Sequence, residues 1–124
     1  MFKKNIEVKI NDSLSPLIYV NLYLNNRRIA FMQCVLENEN TLLIGDIIHT
    51  HKKYHNKGYG TKMMEKLFEY TKENNIKTIY GNLSLNDIDH KDRLLHFYKK
   101  FGFNVEVYDE VDGNYFGRIE KILK

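Results

Sequence analysis

The residues best suited to chemistry lie in the run His55-Asn56-Lys57-Gly58-Tyr59-Gly60-Thr61, between an apolar stretch and a helical-period stretch. A helix N-terminus exposes unpaired backbone N–H groups and the positive end of the helix dipole, which together attract anions. Gly58 and Gly60 remove the Cβ atoms that would hold a phosphate away from that backbone. Two familiar phosphate motifs are excluded: no Gly-x-x-x-x-Gly-Lys-Ser/Thr occurs, and Gly-x-Gly-x-x-Gly fails because residue 63 is methionine. A Gly-x-Gly turn alone fits a structural turn as well as an anion site. Other reactive side chains are scattered. His49 and His51 share a strand face at i, i+2, but no third ligand of clear geometry accompanies them, so a metal site is not expected. Asp46, between Ile44 and Ile47-Ile48, would have a raised pKa if buried. Cys34 has no activating neighbour in sequence and reads as a packed apolar residue in a strand. Tyr98 falls on an apolar helix stripe, where pattern alone suggests a core aromatic.

The elements that must position these residues follow from periodicity. Ile6, Val8 and Ile10 alternate with polar residues as in a half-buried strand, and 11–16 is a turn cluster. Residues 17–24 and 28–36 read as strands joined by a hairpin at Asn25-Asn26-Arg27. The most hydrophobic stretch, 41–50, reads as a central strand buried on both faces. From Gly58 the period changes: Met63, Met64, Leu67, Phe68 and Thr71 mark a helix that Asn74-Asn75 ends. A strand at 77–85 and a polar loop at 86–91 follow. Leu94, Phe97, Tyr98 and Phe101 then mark a second helix, stopped by Gly102. Strands at 103–108 and 115–123 close around Asp112-Gly113-Asn114. The fold class is α+β, one domain over residues 1–124, with a run of antiparallel strands followed by alternating strands and helices.

Bulk composition narrows the class of protein. A hydrophobic content of 43% with 13% aromatics is that of a folded chain with a core. No apolar run has the roughly 20 residues needed to cross a bilayer, and the charged start lacks the apolar core of a signal peptide. One cysteine makes no internal disulfide, which fits a cytoplasmic location. A net charge of +3, with lysines interleaved among acids and asparagines, suits an anionic cofactor and does not favour nucleic acid.

The segment from Ile48 to Thr61 resembles the acetyl-CoA-binding motif of the GNAT superfamily of N-acetyltransferases, Gln/Arg-x-x-Gly-x-Gly/Ala after a buried strand. Tyr98-Lys99-Lys100-Phe101-Gly102-Phe103 is similar to the Tyr-x-x-x-Gly-Phe signature of the same family. The order and spacing of the two motifs, which together cover residues 41 to 108, are more specific than either alone. The resemblance implies the GNAT fold, a mixed, mostly antiparallel sheet flanked by helices. It also implies an acetyl-CoA-dependent N-acetyltransferase, with acetyl-CoA as co-substrate and no metal. Backbone amides of Asn56, Lys57, Gly58, Tyr59, Gly60 and Thr61 would hold the pyrophosphate, with His55 opening the motif. The strand edge at Ile48, His49 and Thr50 would pair with the pantetheine arm. Tyr98 would sit at the thioester and give its proton to the departing thiolate as an amine attacks directly.

Three departures from the family pattern stand out. His55 replaces Gln or Arg. The asparagine often found about seven residues before the tyrosine is Lys91 here, leaving Asn86 as its substitute. The helix pair that usually follows the first strand has no room between Ile10 and Leu17, which implies an open acceptor face or one completed by a second copy of the chain. The family's strand glutamate is matched by Ile44, so Asp46 is the first candidate for general base, beside His49 and a water chain. The acceptor implied is a primary amine of a small molecule or a peptide. The competing reading is a non-catalytic CoA-binding regulator or adaptor, and a weaker one is an acyltransferase acting on aminoacyl-tRNA.

Overall fold

The computed structural model describes residues 5–54 and 57–123. Its strands are β1 (Ile6–Leu14), β2 (Leu17–Leu24), β3 (Arg27–Asn38), β4 (Thr41–His49), β5 (Thr78–Ser84), β6 (Asn104–Asp112) and β7 (Tyr115–Ile122). Its helices are α1 (Tyr59–Glu73) and α2 (Lys91–Lys100), each preceded by a short 3₁₀ turn, Lys52–Tyr54 and Leu85–His90. All strands share one sheet in the order β1-β2-β3-β4-β5-β7-β6, antiparallel except for the β4–β5 pair. This is the mixed, mostly antiparallel sheet flanked by helices that the sequence predicts.

Local chemistry explains the chain reversals. Asn25 and Asn26 both take positive φ, 50° and 69°, as the two central residues of a right-twisting hairpin turn require. Asn74 and Asn75 end α1: the Asn74 amide and side chain both donate to the Tyr70 carbonyl, at 3.0 and 2.8 Å, and Asn75 turns the chain with φ 55°. Gly102, at φ 84°, ends α2, and the following Phe103 amide donates to the Tyr98 carbonyl at 3.1 Å. One expectation changes here. The turn cluster at 11–16 shrinks, because β1 runs on to Leu14 and pairs it with Leu17 across a shifted register.

Strand register separates the two faces of the sheet. Val8, Leu22, Ala30 and His49 lie across from one another on one face, as do Ile10, Val20, Met32 and Ile47. Ile44, Gly81 and Ile119 continue that face across β4, β5 and β7. It carries the core, with Met63, Met64 and Leu67 of α1 fully buried against it. Tyr98 of α2 shares a small cavity with Gly81 and Ile119, so α2 covers the same face. The helices also touch one another, with Phe68 5.9 Å from Phe101 and 6.2 Å from Phe103 between ring centres. Neither helix covers the opposite face, which carries Lys9, Tyr19, Asn21, Phe31, Tyr80 and Arg118. Polar partners adapt it to water: Arg28 donates to buried Asn21 at 3.3 Å and lies over Phe31 at 4.5 Å, while Tyr80 donates to Glu37. The missing helix pair thus leaves one whole sheet face bare of helix among the described residues.

The expectation that 41–50 is buried on both faces is corrected. Leu42 and Ile44 are buried, but Gly45, Asp46 and Ile48 are exposed and the strand stops at His49. Its hydrophobicity reflects burial on the helix face together with an unpaired edge, as described next.

Candidate active site

The parallel pair β4–β5 is short. It runs from Thr41 opposite Thr78 to Ile44 opposite Gly81 and then stops, although both strands continue. The cause lies on the other side of β4. Cys34 of β3 faces Ile44 and Met32 faces Ile47, so Gly45 and Asp46 together oppose the single residue Gln33. Such a bulge bends its strand and increases local twist, carrying the rest of β4 away from β5. Glycine is required there, because a Cβ on Gly45 would come within 2.6 Å of the Gln33 carbonyl oxygen. The bulge also resets the alternation beyond Ile44. Asp46 therefore does not follow Ile44 as a simple i+2 neighbour, and Ile47 and His49 return to the helix face.

The gap between the strands opens into three adjoining cavities. A cavity of about 300 Å³ reaches from Ile47 and His49 to Gly58, Gly60 and Thr61 at the start of α1. A narrow one of about 90 Å³ lies in the gap itself, between Asp46, Asn82, Asp87 and Tyr98. A third of about 490 Å³ opens beside Asp46, Asn82, Ser84, Asn86 and Asn114. The first two share Ile47, Asp87 and Leu94, and the last two share Ile44, Gly45, Asp46 and Asn82. Together they line a path from the glycine turn past Tyr98 to the far side of the gap.

At the first end the backbone is arranged for an anion. Gly58 caps α1 in the left-handed region, φ 77° and ψ 10°, and has no side chain to bond the first helical amides. Among the described residues, its chain neighbours apart, nothing lies within 4 Å of where a Gly58 Cβ would project. Gly60 packs against α2, since a Cβ there would meet the Phe97 ring at 3.2 Å. Thr61 accepts a hydrogen bond from Lys100 Nζ at 3.2 Å, and His90 and Arg93 line the same cavity. A phosphate-bearing group thus fits this end on both backbone and charge.

At the centre, Tyr98 is 6% exposed, wedged against Phe97 and Phe103 with ring centres 5.4 and 5.5 Å away. Burial, then Asp87, Asp46 and Cys34, push its phenol well above the ordinary tyrosine range, so it stays protonated and can act as a donor. Burial first, then Asp46, raise the Asp87 carboxyl, which nearby His90 partly offsets. Asp46 is exposed, so the burial its apolar neighbours in sequence suggest is absent.

The residues singled out in the sequence separate by position. Gly58, Tyr59, Gly60, Thr61, His49 and Tyr98 line the connected cavities. Ile48 is 40% exposed and sits opposite Phe31 on the helix-free face. The Thr50 amide is committed to the Ile29 carbonyl at 2.9 Å. Lys57 is exposed beside the turn, and His55 and Asn56 lie outside the described residues. Asn86 lines the far cavity with Ser84, away from the glycine turn. Among the described residues no three His, Cys, Asp or Glu side chains cluster as metal ligands, and no helix is long and apolar enough to cross a membrane. Asp87, His90 and Arg93 were not foreseen. Asp87 and His90 come from a polar loop without periodicity and Arg93 from α2 beside its apolar stripe, and no spacing rule marks them.

Cys34 is fully buried in β3, and burial pushes its thiol from the ordinary 9.0 up to about 12. The folded value lies above the unfolded one, so its contribution to stability is complete below pH 9.0 and is lost between there and about 12. Melting temperature is expected to fall across that alkaline window, less steeply in Cys34→Ala. Native protein at pH 8 should resist alkylation that denatured protein undergoes; labelling of the native thiol at the rate of an exposed one would contradict this placement.

Residues 16–105 match the family model described as Acetyltransferase (GNAT) domain. A GNAT family acetyltransferase from Elizabethkingia anophelis with acetyl-CoA bound superposes with a TM-score of 0.73 at 15% identity, covering 98% of this chain and 100% of that one. The PaiA N-acetyltransferase of Thermoplasma acidophilum, in complex with coenzyme A, gives 0.72 at 17% identity over 90% of this chain and 64% of that one. Uncharacterized protein YocC of Bacillus subtilis is 36% identical over 67 residues, 54% of this chain and 38% of its own length, so the match spans well under half of that relative.

Proposed function

Because the chain belongs to the GNAT acetyltransferase family, we propose that it moves an acetyl group from acetyl-CoA to a primary amine by direct attack, with both substrates bound together in the gap between β4 and β5. The observation that carries this reading is the series of cavities running from the glycine turn past Tyr98 to the other side of the gap. Acetyl-CoA supplies an acetyl thioester activated toward nucleophiles. The α1 amides from Gly58 to Thr61 hold the pyrophosphate, with Arg93 adding positive charge and His90 a polar ring. Beyond Ile44, where its pairing with β5 has stopped, β4 offers backbone groups at Ile47 to the amide-bearing arm, as an added strand would use them.

The amine approaches from the far cavity, whose lining includes Asp46 and five uncharged hydrogen-bonding side chains, Asn82, Ser84, Asn86, Asn114 and Tyr115, and no cation among the described residues. Attack forms the C–N bond and breaks the C–S bond, and the sulfur takes the Tyr98 proton. The phenol recovers a proton from the nitrogen, so no phenolate persists beside Asp87 and Asp46.

Calorimetry with acetyl-CoA and thiol release across an amine panel test the reading together. Micromolar binding and amine-dependent release are expected. Binding without release by any amine would favour a CoA-binding regulator instead, and absence of binding would remove the transferase reading altogether.

A further inference from the structure

We propose that the acceptor binds as an ammonium ion and gives its proton to Asp87, while Asp46 holds the ammonium on its way in from the far cavity. This rests on the transferase reading above and assigns the base that reading leaves open. Asp87 lines both the cavity at the glycine turn and the narrow cavity at Tyr98. Asp46 lines the narrow cavity and the far one. No other acidic side chain lines any of the three among the described residues. An amine entering by the far cavity therefore meets Asp46 first and Asp87 last, where the acetyl donor and Tyr98 converge.

Asp87 is positioned rather than loose. Its 3₁₀ turn is pinned by the Asn86 amide donating to Ser84 Oγ at 3.1 Å and by the Leu85 amide donating to the Asn114 carbonyl at 2.8 Å. The ionisable and charged groups around it are Asp46 and His49 from β4, Tyr59 from α1, Tyr98 and Arg93 from α2, and His90 from its own turn. The side chains of β5 and β7 that line these two cavities carry no charge. Half-burial and the Asp46 charge raise the Asp87 carboxyl, which makes it a stronger base than a solvated aspartate. Asp46 is exposed where the far cavity opens, so an entering cation meets its side chain first. The step balances: the ammonium loses one proton to Asp87, and the neutral amine attacks. Asp87 then passes that proton to water, giving amide, thiol and one released proton in total.

The test is the pH profile of kcat/KM, measured by thiol release with spermidine, glucosamine and trialanine as probe amines. The wild type should reach a plateau near neutrality with whichever probe reacts. Asp87→Asn should lose roughly 10²-fold at pH 7 and climb about tenfold per pH unit up to the pKa of the amine itself, because only free amine then reacts. Asp87→Glu should restore part of the plateau, and Asp46→Asn should raise KM with the plateau kept. The Kd for acetyl-CoA should stay unchanged in all three, which separates a lost base from a damaged fold. A plateau retained in Asp87→Asn overturns this assignment and leaves the transferase reading intact. A wild type that binds no acetyl-CoA, or releases no thiol with any probe, overturns both.

Discussion

Replacing Tyr98 by phenylalanine is expected to lower kcat by about 10²-fold or more while leaving the Kd for acetyl-CoA unchanged. The argument separates ring from hydroxyl. The ring packs against Phe97 and Phe103 and closes the narrow cavity, so phenylalanine keeps the wall and the fold. The hydroxyl is what the reaction loses. Burial and the nearby carboxylates keep the phenol protonated throughout the working pH range, so its proton is available whenever the C–S bond breaks. Without it the thiolate must leave with no phenol to protonate it, a cost of a few kcal/mol in the transition state only. Because ground-state binding does not use that proton, the loss should fall on kcat and not on affinity. A Tyr98→Phe enzyme with wild-type kcat would show that the sulfur is protonated from elsewhere and return Tyr98 to a packing role.

The second large effect is expected from Gly60→Asp, which should weaken acetyl-CoA binding by about 100-fold or more, near 2.7 kcal/mol. Two causes act together. A carboxylate at the second residue of α1 would stand where the pyrophosphate accepts the helix amides, setting like charge against like charge. Its Cβ would also meet the Phe97 ring at 3.2 Å, pressing α2 away from the start of α1. Gly60→Ala carries only the steric part, so a much smaller loss of affinity is expected, with calorimetry on both variants and a melting curve as the check on folding. Equal, small losses for aspartate and alanine would mean that the anion binds somewhere other than this turn.

Much of this protein is legible without coordinates because its signals are local. Alternation in β2, the helical period from Met63 to Thr71 and the stripe through Tyr98 each depend on neighbours within a few residues. The asparagine and glycine turns likewise depend on local φ preferences, and they end the elements where the residue types predict. The glycine turn itself was readable because helix N-terminus, missing Cβ atoms and the preceding strand are all adjacent in sequence. The same holds for Tyr98-Lys99-Lys100-Phe101-Gly102-Phe103, in which the tyrosine and its helix stop lie in one short run.

What only the tertiary structure decided depends on register and on contacts between distant segments. The bulge at Gly45 and Asp46 exists because Gln33, from another strand, faces both, and no pattern within β4 reveals which partner it takes. That single extra residue ends the pairing with β5, opens the gap and leaves Asp46 exposed, where alternation alone put it in line with Ile44. Asp87 entered the site from a polar loop, brought there by a 3₁₀ turn anchored to Asn114 far along the chain. Asn86, its neighbour, turned to the far cavity instead. The sequence alone thus determined most of the elements, and the family resemblance it carries pointed to the glycine turn and Tyr98 as the proposed anion site and proton donor, since each is encoded by adjacent residues. The cleft, its second carboxylate and the helix-free face were decided by strand register, which many separated residues set together.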